Sequence, residues 1–561
     1  MKRMTCWLIC LLCLAGPALA QPSPWENTMQ MAKAAETRGK YDEAARLYAR
    51  AVEEADTDDR RIDSHLGLGQ AYRYTAKPAE SARAYRTALA LQEQRDGQEH
   101  PRLIETLRAL AWVSAAVTKD HGAVEIMSRA LAIAERAHGP KSMQASGVRL
   151  DLGGVHLLCG QPAKAEEAFL RAIADYETAQ GAASPYTRSA AKIAARSFCN
   201  AGEYARAEPM YRKWLAVTEK ANGPFGDEIG EINGDIAYMY ALQGRDKDAE
   251  PYAVRMSTVY KKTMGRVSLS LTLPLLECYA AQGRAAEAET LLRDMVGDET
   301  RLSPHDRPPY LTARALMQVQ QYQELLRGDG PLLRPGLSLA HLELTLPLPG
   351  HPSAVNDAQR ATAQNTLAKA AEALRQVVSL REEALANDKG NNAWRTALMT
   401  YDIALAENNL AACLILQGNG ADAEAWLRKA IDHCAAAREQ MPGKPDGAAH
   451  PRNGAADASP ILVNLAMLRY QHGYASTTPE GRNAVQDSLR LYGEAQQERG
   501  KMRQRDVPAD ARLWLSLAVA RSAAGDAAGA TAARNEAIRL FATVLGADAP
   551  PLAALRALGT P

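Results

Sequence analysis

Two short patterns in this sequence contain residue types that could carry out chemistry. Ser189 and Lys192 have the Ser-x-x-Lys spacing of an acyl-transfer site, in which the lysine would help the serine hydroxyl attack a carbonyl. His433 and Cys434 could supply two metal ligands, since imidazole and thiolate both bind zinc. Neither pattern has the companion residues that its chemistry requires. We therefore expect Ser189 to lie in a packing helix and His433 to be a cation near a helix C-terminus.

The sequence motifs of the large enzyme classes are missing from the chain. It has no His-Glu-x-x-His, no Gly-x-Ser-x-Gly and no Gly-x-x-x-x-Gly-Lys-Ser/Thr phosphate loop. The pair Gly67 and Gly69 lacks the third glycine and the preceding strand of a dinucleotide site, so helix packing explains it. We predict that the protein is not an enzyme and that it uses no cofactor and no metal ion.

Composition narrows the classes of partner and of fold. The chain has 561 residues, with 66 Lys and Arg against 65 Asp and Glu. This balance argues against a whole-molecule electrostatic hold on nucleic acid or on an anionic membrane. Aromatic residues make up only 6% of the chain, and alanine is abundant. Alanine is the best helix former, whereas strands favour aromatic and β-branched residues, so the composition favours packed helices.

The first 20 residues have the pattern of a secretory signal peptide. Lys2 and Arg3 precede a ten-residue apolar run, and Ala18-Leu19-Ala20 is a small-residue cleavage motif. We predict cleavage after Ala20 and a periplasmic or secreted protein. No later stretch reaches 18 consecutive apolar residues, so we expect no transmembrane segment.

Cysteine usage indicates neither a disulfide scaffold nor a zinc framework. Five cysteines follow the signal segment, an odd number with wide spacing and no Cys-x-x-Cys pair. Most of them fall in predicted packing helices, where cysteine acts as a small apolar residue. One disulfide, between Cys159 and Cys199, stays open as a possibility.

An internal repeat is the strongest pattern in the sequence. Anchor positions at 76, 118, 160, 202 and 244 are each 42 residues apart, and Gly283 follows 39 residues later. Each unit predicts two amphipathic helices joined at the anchor, where glycine allows the positive φ of a tight turn. The second helix has small residues 5 and 12 positions after the anchor, such as Ala165 and Ala172 after Gly160. These share one helix face and allow the partner helix to approach closely.

This pattern resembles the tetratricopeptide repeat, in its longer 42-residue form as in kinesin light chains. The matching features are the Gly-x-Tyr-x-x-Ala core at Gly39 to Ala44, the Leu-Gly pair of the first helix, and turns such as Gly139-Pro140. The resemblance covers residues 25–296. It implies an all-α, right-handed superhelical solenoid of antiparallel helix pairs, interrupted by an irregular segment. The family is a binding scaffold, so the resemblance implies a partner and not a reaction.

The resemblance also implies which residues face a ligand, because the first helix of each repeat lines the concave surface in that family. Counting from the anchor places Arg73, Arg108, Lys192 and Arg196 on this face as positive charges. The full set of residues placed on the peptide-binding face is Gln70, Arg73, Arg108, Trp112, Lys192, Arg196, Asn200, Tyr238 and Glu277. One hypothesis is a groove for a peptide with acidic groups or a free carboxylate. The alternative is that these cations form salt bridges with neighbouring Glu and Asp on a solvated face.

The rest of the chain divides by composition. We predict a signal peptide over 1–20, a solenoid of about seven repeats over 21–297, and a Pro- and Gly-rich linker or insertion over 298–356. Degenerate repeats of the same kind are predicted over 357–546, followed by an irregular tail over 547–561. Whether 298–356 is a flexible joint or an ordered cap stays open.

The leading functional hypothesis is an exported, non-enzymatic scaffold that binds a partner protein or peptide on its concave face. The alternative is a binding protein for a small molecule or glycan, which predicts a deep pocket with stacked aromatics near the insertion. Tyr310 and Tyr322 are the aromatics available there. An enzyme with a site assembled from scattered residues is the third hypothesis, and it would need clustered, strongly perturbed carboxylates or histidines.

Overall fold

The structure is a computed structural model. It describes residues 23–75, 77–118, 121–264, 275–276, 278–279, 282, 284–296, 302–304, 306–327, 336–338, 341–344, 356–388, 393–440, 457–474, 478–500, 507–545, 552 and 556. The predicted signal peptide over 1–20 and the candidate ligand residue Glu277 lie outside the described residues.

The described residues form two compact units, one up to residue 140 and the other from residue 141 onward. The helices of the first unit are α1 (Pro24–Thr37), α2 (Tyr41–Glu54), α3 (Asp58–Tyr74), α4 (Pro78–Asp96), a 3-10 turn (Pro101–Leu103), α5 (Ile104–Thr118) and α6 (His121–His138). They pack as the pairs α1–α2, α3–α4 and α5–α6.

The second unit continues the same arrangement over a longer stretch of chain. Its first half contains α7 (Met143–Leu158), α8 (Pro162–Gln180), α9 (Pro185–Asn200), α10 (Tyr204–Asn222), α11 (Asp227–Leu242), α12 (Asp246–Met264) and α13 (Ala285–Val296). Its second half contains α14 (Arg307–Arg327), α15 (Asp357–Ala386), α16 (Ala393–Leu416), α17 (Gly420–Gln440), α18 (Ser459–Tyr474), α19 (Pro479–Gly500), α20 (Val507–Ala523) and α21 (Ala527–Leu545). Apart from α13, consecutive helices pack in pairs from α7–α8 to α20–α21. The all-α prediction of antiparallel helix pairs is confirmed.

Local sequence signals explain where the helices begin. The first helices of three pairs start after Thr57, Ser142 and Ser184, whose side chains accept a hydrogen bond from the backbone N–H three residues on. Each such bond satisfies a donor that the first helical turn leaves unpaired. The second helices α4 and α8 instead begin with Pro78 and Pro162, because proline suits the first helical position.

In six helix pairs of the described chain, the turn between the two helices contains a glycine with positive φ. At Gly160 the backbone has φ of +70°, and the N–H of Gln161 donates to the carbonyl of His156 at 2.8 Å, which closes the end of α7. The prediction of positive φ at the anchor glycines is confirmed at Gly39, Gly160, Gly202, Gly244, Gly418 and Gly525. A second set at the turns between pairs, also with positive φ, is spaced 42 residues apart: Gly97, Gly139, Gly181 and Gly223.

Small residues let the two helices of a pair approach closely, as the sequence predicts. Ala165 and Ala172 on α8 are fully buried. On α7, a Cβ added at Gly153 would lie 2.6 Å from the ring of Phe169, which is itself fully buried. The aromatic ring therefore occupies the space that a side chain would need.

The region predicted as a linker or insertion over 298–356 contains regular structure. Helix α14 pairs with α15, and its residues Leu316 and Val319 are fully buried in the core of the second unit. Strands β1 (Gly336–Ser338) and β2 (His341–Glu343) form an antiparallel hairpin in which Leu337 pairs with Leu342. Strand β2 packs against α16 and α18. The described part of this region thus belongs to the second unit, and the hairpin lies in the sequence between α14 and α15, the two helices of one pair.

The pair α18–α19 is the main addition to the sequence prediction. Helix α18 is buried on nearly all sides, including Ile461, Val463 and Met467. A helix buried on all sides lacks the one-sided apolar pattern that reveals amphipathic helices. It also follows residues 441–456, a stretch of the sequence rich in Gly, Pro and Ala.

Within the described residues, no helix has both the length and the apolar character needed to cross a bilayer.

Candidate functional site

Two of the predicted ligand-facing cations lie together between α9 and α11. Lys192 Nζ is 2.7 Å from Glu231 Oε1, and Arg196 Nη2 is 2.8 Å from the same oxygen. Arg196 also places its Nε 2.6 Å from Asp235 Oδ2. Both cations come from the first helix of one pair and both carboxylates from the first helix of the next. We call these four side chains the α9–α11 ion cluster.

Trp214, on the second helix α10, lies beneath the two cations of this cluster. Lys192 Nζ lies 5.1 Å and Arg196 Cζ lies 5.5 Å from the centroid of its ring. The Trp214 side chain is fully buried. The indole N–H donates to Glu228 Oε1 at 3.0 Å. A cation over an indole face is attracted by the ring quadrupole, so Trp214 helps to hold both cations in one geometry.

Burial and the ion pairs together shift the pKa values of Asp235 and Arg196 in this cluster. Burial raises the pKa of Asp235, and the bonds from Arg196 lower it only in part. Burial also acts to lower the pKa of Arg196, but its bonds to Asp235 and the charge of Glu231 raise it overall. The cluster contains two cations and two carboxylates, so neighbouring carboxylates balance the positive charge predicted for this face.

The predicted residues of the first unit have local partners. Gln70 on α3 donates from Nε2 to Glu36 Oε1 at 2.6 Å, and Tyr48 donates to the other oxygen of Glu36 at 2.8 Å. Arg108 on α5 lies 2.7 Å from Glu105 of its own helix. The Arg73 guanidinium lies 5.4 Å from the Tyr74 ring, and Trp112 is half-buried on α5.

Two further residues that were predicted to face a ligand lie in the second unit. Asn200 on α9 and Tyr238 on α11 are both half-buried. The structure therefore brings Lys192 and Arg196 into direct contact with one shared carboxylate, and it holds Gln70 and Arg108 each by a nearby acid.

Helix α9 also carries two exposed apolar side chains that were not predicted from the sequence. Tyr186 is 54% exposed and Ile193 is 42% exposed. They are seven residues apart on one helix, so they lie on one face. The Tyr186 ring stacks on Tyr176 with centroids 6.1 Å apart. A large apolar residue next to a predicted ligand position, as Ile193 is next to Lys192, is the signal that could have found them.

A groove of about 410 Å³ lies in the second unit between α13, α14 and α15. Its lining is Glu289, Arg314, Gln318, Lys369, Glu372, Ala373 and Gln376. None of these described lining residues is aromatic. Tyr310 and Tyr322, the aromatics that the small-molecule hypothesis relies on, are buried in the core of this unit.

The two patterns with catalytic or metal-ligating residue types lie in helices. Ser189 is exposed on α9, and Glu231 holds the nitrogen of its companion Lys192. His433 on α17 places Nδ1 2.8 Å from Oε2 of Glu407, whose side chain is fully buried. Burial raises the pKa of Glu407. Among the residues that the structure describes, no group of three or more His, Cys, Asp or Glu is arranged to hold a metal ion.

The cysteines in the described part of the chain are thiols. These are Cys159, Cys199, Cys278, Cys413 and Cys434. The disulfide left open between Cys159 and Cys199 is therefore not formed in this structure.

Comparisons with known proteins give one family match. Residues 29–62, which contain most of α1, all of α2 and the start of α3, match the tetratricopeptide repeat model. No curated protein sequence matches the chain.

Solved structures with similar folds have low identity to this chain. A kinesin-light-chain-like protein of Podosopora anserina with nearly identical TPR-like repeats is 19% identical over 36% of this chain and 99% of its own, with a TM-score of 0.32. BtubC from P. vanneervenii is 16% identical over 44% of this chain and 94% of its own, with a TM-score of 0.31. A tetratricopeptide repeat protein of Parabacteroides merdae is 15% identical over 48% of this chain and 91% of its own, with a TM-score of 0.32. At these values the likeness carries no argument about function.

The kinesin-light-chain type of repeat stays a prediction. The matched segment contains most of the first helix pair, and five later pairs repeat its turn glycine, at Gly160, Gly202, Gly244, Gly418 and Gly525. The chain contains a tetratricopeptide repeat at residues 29–62, within an array of paired helices.

Proposed function

We propose that this chain is a non-enzymatic scaffold that binds a partner protein or peptide on the face formed by its first helices, at α9 and α11. The observation that carries the proposal is the exposure of Tyr186 and Ile193 on α9, the helix that supplies both cations of the α9–α11 ion cluster. Contiguous apolar patches that polar residues surround mark interaction sites on protein surfaces, and Tyr186 and Ile193 lie on one face of the same helix. A tetratricopeptide repeat supports the coarser function, protein–protein interaction.

The ion cluster suits a partner because it is already ordered before binding. Lys192 and Arg196 are held by shared carboxylates and by the Trp214 ring. Ordered side chains lose less conformational entropy when a partner arrives, which favours affinity. Tyr186 and Ile193 would then supply the apolar anchor and the cluster the polar rim.

An acidic group or free carboxylate of a partner would have to compete with Glu231 for the two cations at this site. Glu231 already accepts from both Lys192 and Arg196. A partner carboxylate gains contact with these cations only by displacing Glu231. We therefore expect an acidic partner to bind a Glu231→Gln variant more tightly than the unmodified chain, and a partner held by apolar contacts to bind both equally.

Capture of partners by matched variants tests the proposal. Ile193→Asp places a charge on the proposed surface. Val254→Asp is the matched control, because it places the same charge at a 40% exposed position on α12, outside that surface. Proteins retained by the unmodified chain and by the Val254 variant should be lost with Ile193→Asp, at equal amounts of folded chain. Retention of every partner by Ile193→Asp, or equal loss with both variants, would show that this surface is not the binding site.

We also propose that the chain is exported, to the periplasm or the medium, after cleavage behind Ala20. Lys2, Arg3 and the apolar run that follows support this proposal. The intact mass and N-terminal sequence of the mature protein from an exporting cell test it. The expected first residue is Gln21, and a retained Lys2 and Arg3 in a cell-internal fraction would overturn it.

The groove between α13, α14 and α15 does not favour the alternative function. Its volume falls in the range of small-molecule sites, but such sites are lined mainly by apolar and aromatic side chains. Six of its seven described lining residues are polar or charged. The scaffold is thus the function that the described surface supports best.

A further inference from the structure

A short extended segment of this chain lies on two first helices of the second unit. Strand β2 packs against α16 and α18, and Leu344, which follows it, is 1% exposed within the core. We call residues 341–344 the strap. Because α16 and α18 each begin a helix pair, the strap lies on helices that have the same place in their pairs as α9 and α11 have in theirs.

Two buried amides hold the backbone of the strap. The N–H of Leu344 donates to Asn464 Oδ1 at 2.8 Å, and Asn464 Nδ2 donates to Asn408 Oδ1 at 2.8 Å. Neither asparagine has measurable exposure. Burying amides is costly unless they are paired, so these side chains are built around a backbone group that reaches them. A backbone N–H is present in every extended segment, which makes this contact independent of side-chain identity.

The position of Asn408 in its repeat supports a binding role. Asn408 lies ten residues before Gly418, the turn glycine of its pair. Lys192 lies ten residues before Gly202, and this is one of the first-helix positions predicted to face a ligand. The same helix position therefore carries a cation of the ion cluster in α9 and, in α16, the amide that accepts from Asn464 and so orients it toward the strap.

We propose that α16 and α18 form a groove for an extended peptide, that the strap occupies this groove in cis, and that a partner peptide with a leucine in the place of Leu344 displaces it. Asn464 binds the incoming backbone N–H, and the site of the Leu344 side chain accepts the incoming leucine. This inference goes beyond the α9–α11 surface and does not depend on it, since the two sites share no residue.

Occupation in cis has a consequence for affinity. A tethered segment competes at a high effective concentration, so a peptide in trans binds only in the fraction of molecules whose strap has left the groove. Weakening the strap should therefore strengthen binding of a peptide that copies it.

Binding of a labelled peptide to the full chain tests the proposal. The probe copies residues 336–346, and a second probe is N-methylated at the nitrogen of the residue that copies Leu344. A Leu344→Asp chain should bind the first probe about tenfold tighter than the unmodified chain, since its own strap no longer fills the groove. The N-methylated probe should bind that variant about tenfold more weakly, because it keeps the leucine and lacks the donor to Asn464. Equal affinity of the two chains, or of the two probes, overturns the proposal.

Hydrogen exchange of the unmodified chain gives an answer that does not depend on any variant. The Leu344 amide should exchange slowly, because Asn464 accepts its hydrogen, and saturating probe should speed its exchange. Unchanged exchange at Leu344 with the probe bound would place the probe elsewhere and overturn the proposal. Val254→Asp on α12, where Val254 is 40% exposed, serves as the matched apolar-to-acid control, and it should leave the probe affinity unchanged.

Discussion

Arg196 and Asp235 connect the first helices of two successive helix pairs by a salt bridge, with Arg196 Nε 2.6 Å from Asp235 Oδ2. The two side chains are 29% and 13% exposed, so the bond is partly shielded from water. Since the helices belong to different pairs, this contact stabilises the stacking of one pair on the next and not the pairing within either.

Removing Arg196 should destabilise the second unit. In Arg196→Ala the carboxylate of Asp235 keeps its burial and loses its partner, so we expect a loss of about 2–3 kcal/mol in the free energy of unfolding. Urea unfolding measures it. The control is Arg212→Ala, which breaks an exposed pair with Glu208 on α10 and should cost under about 1 kcal/mol. Equal losses in the two variants would contradict a special role for the Arg196 bond.

A side chain at Gly153 should force the pair α7–α8 apart. The added Cβ of Gly153→Ala would lie 2.6 Å from the Phe169 ring, so we expect a loss of about 1–3 kcal/mol on unfolding. Gly493→Ala in α19 is the matched control, because nothing lies within 4 Å of its added Cβ. That change should stabilise by about 0.5–1 kcal/mol through helix propensity. Thermal unfolding of both variants checks the prediction, and a stabilising Gly153→Ala would refute it.

Glu407 should make stability depend on pH. Burial raises its pKa above the ordinary 4.5, while the hydrogen bond and charge of His433 and the charge of Lys429 lower it only in part, and the Glu382 charge adds to the increase. Above pH 4.5 the unfolded carboxyl loses its proton before the folded one does, so the free energy of unfolding falls as pH rises. Below that pH both states are protonated and the contribution disappears.

Comparison with Glu407→Gln isolates this effect. The neutral amide does not titrate, so the variant should gain stability relative to the unmodified chain as pH increases from 4 to 7.5, the range that brackets the ordinary pKa. Urea midpoints at several pH values measure the difference. A difference that stays constant across this range would mean that the ionisation of Glu407 does not contribute.

The cysteines should differ sharply in reactivity. Burial raises the pKa of the Cys199 thiol to about 12, and it does the same at Cys413. Cys159 is half-buried and lies at the end of α7. Because the thiolate is the reactive form, iodoacetamide should label Cys159 first in the native chain. Peptide mass spectrometry measures the order, and urea-unfolded chain is the control in which all should react. Labelling of Cys199 as fast as Cys159 would contradict the burial.

Much of the fold follows from sequence because its signals are local. The turn glycine Gly160, the capping residue Ser142 and the small residue Gly153 all act within one helix pair, and each does what its residue type predicts. Helix α18 shows the limit of this approach, because burial on nearly all sides removes the periodic pattern that would reveal it.

The candidate site was predicted in part. The repeat position identified Lys192 and Arg196 as neighbours on one face, but their partners Glu231 and Asp235 lie 39 residues further along the chain. That separation is close to one repeat, so the next repeat could have been searched for acids. Whether an acid there reaches the cations depends on how the next helix is rotated, and this is a property of packing.

The sequence alone determined that this chain is built from paired helices, because the periodicity, caps and turn glycines that specify a pair lie within about one repeat. Only the tertiary structure decided how charge is balanced on the first helices and where the strap lies. Leu344 and Asn464 are 120 residues apart, yet one hydrogen bond joins them. Such a contact forms only when several helix pairs have stacked, since stacking alone brings those distant positions to one surface.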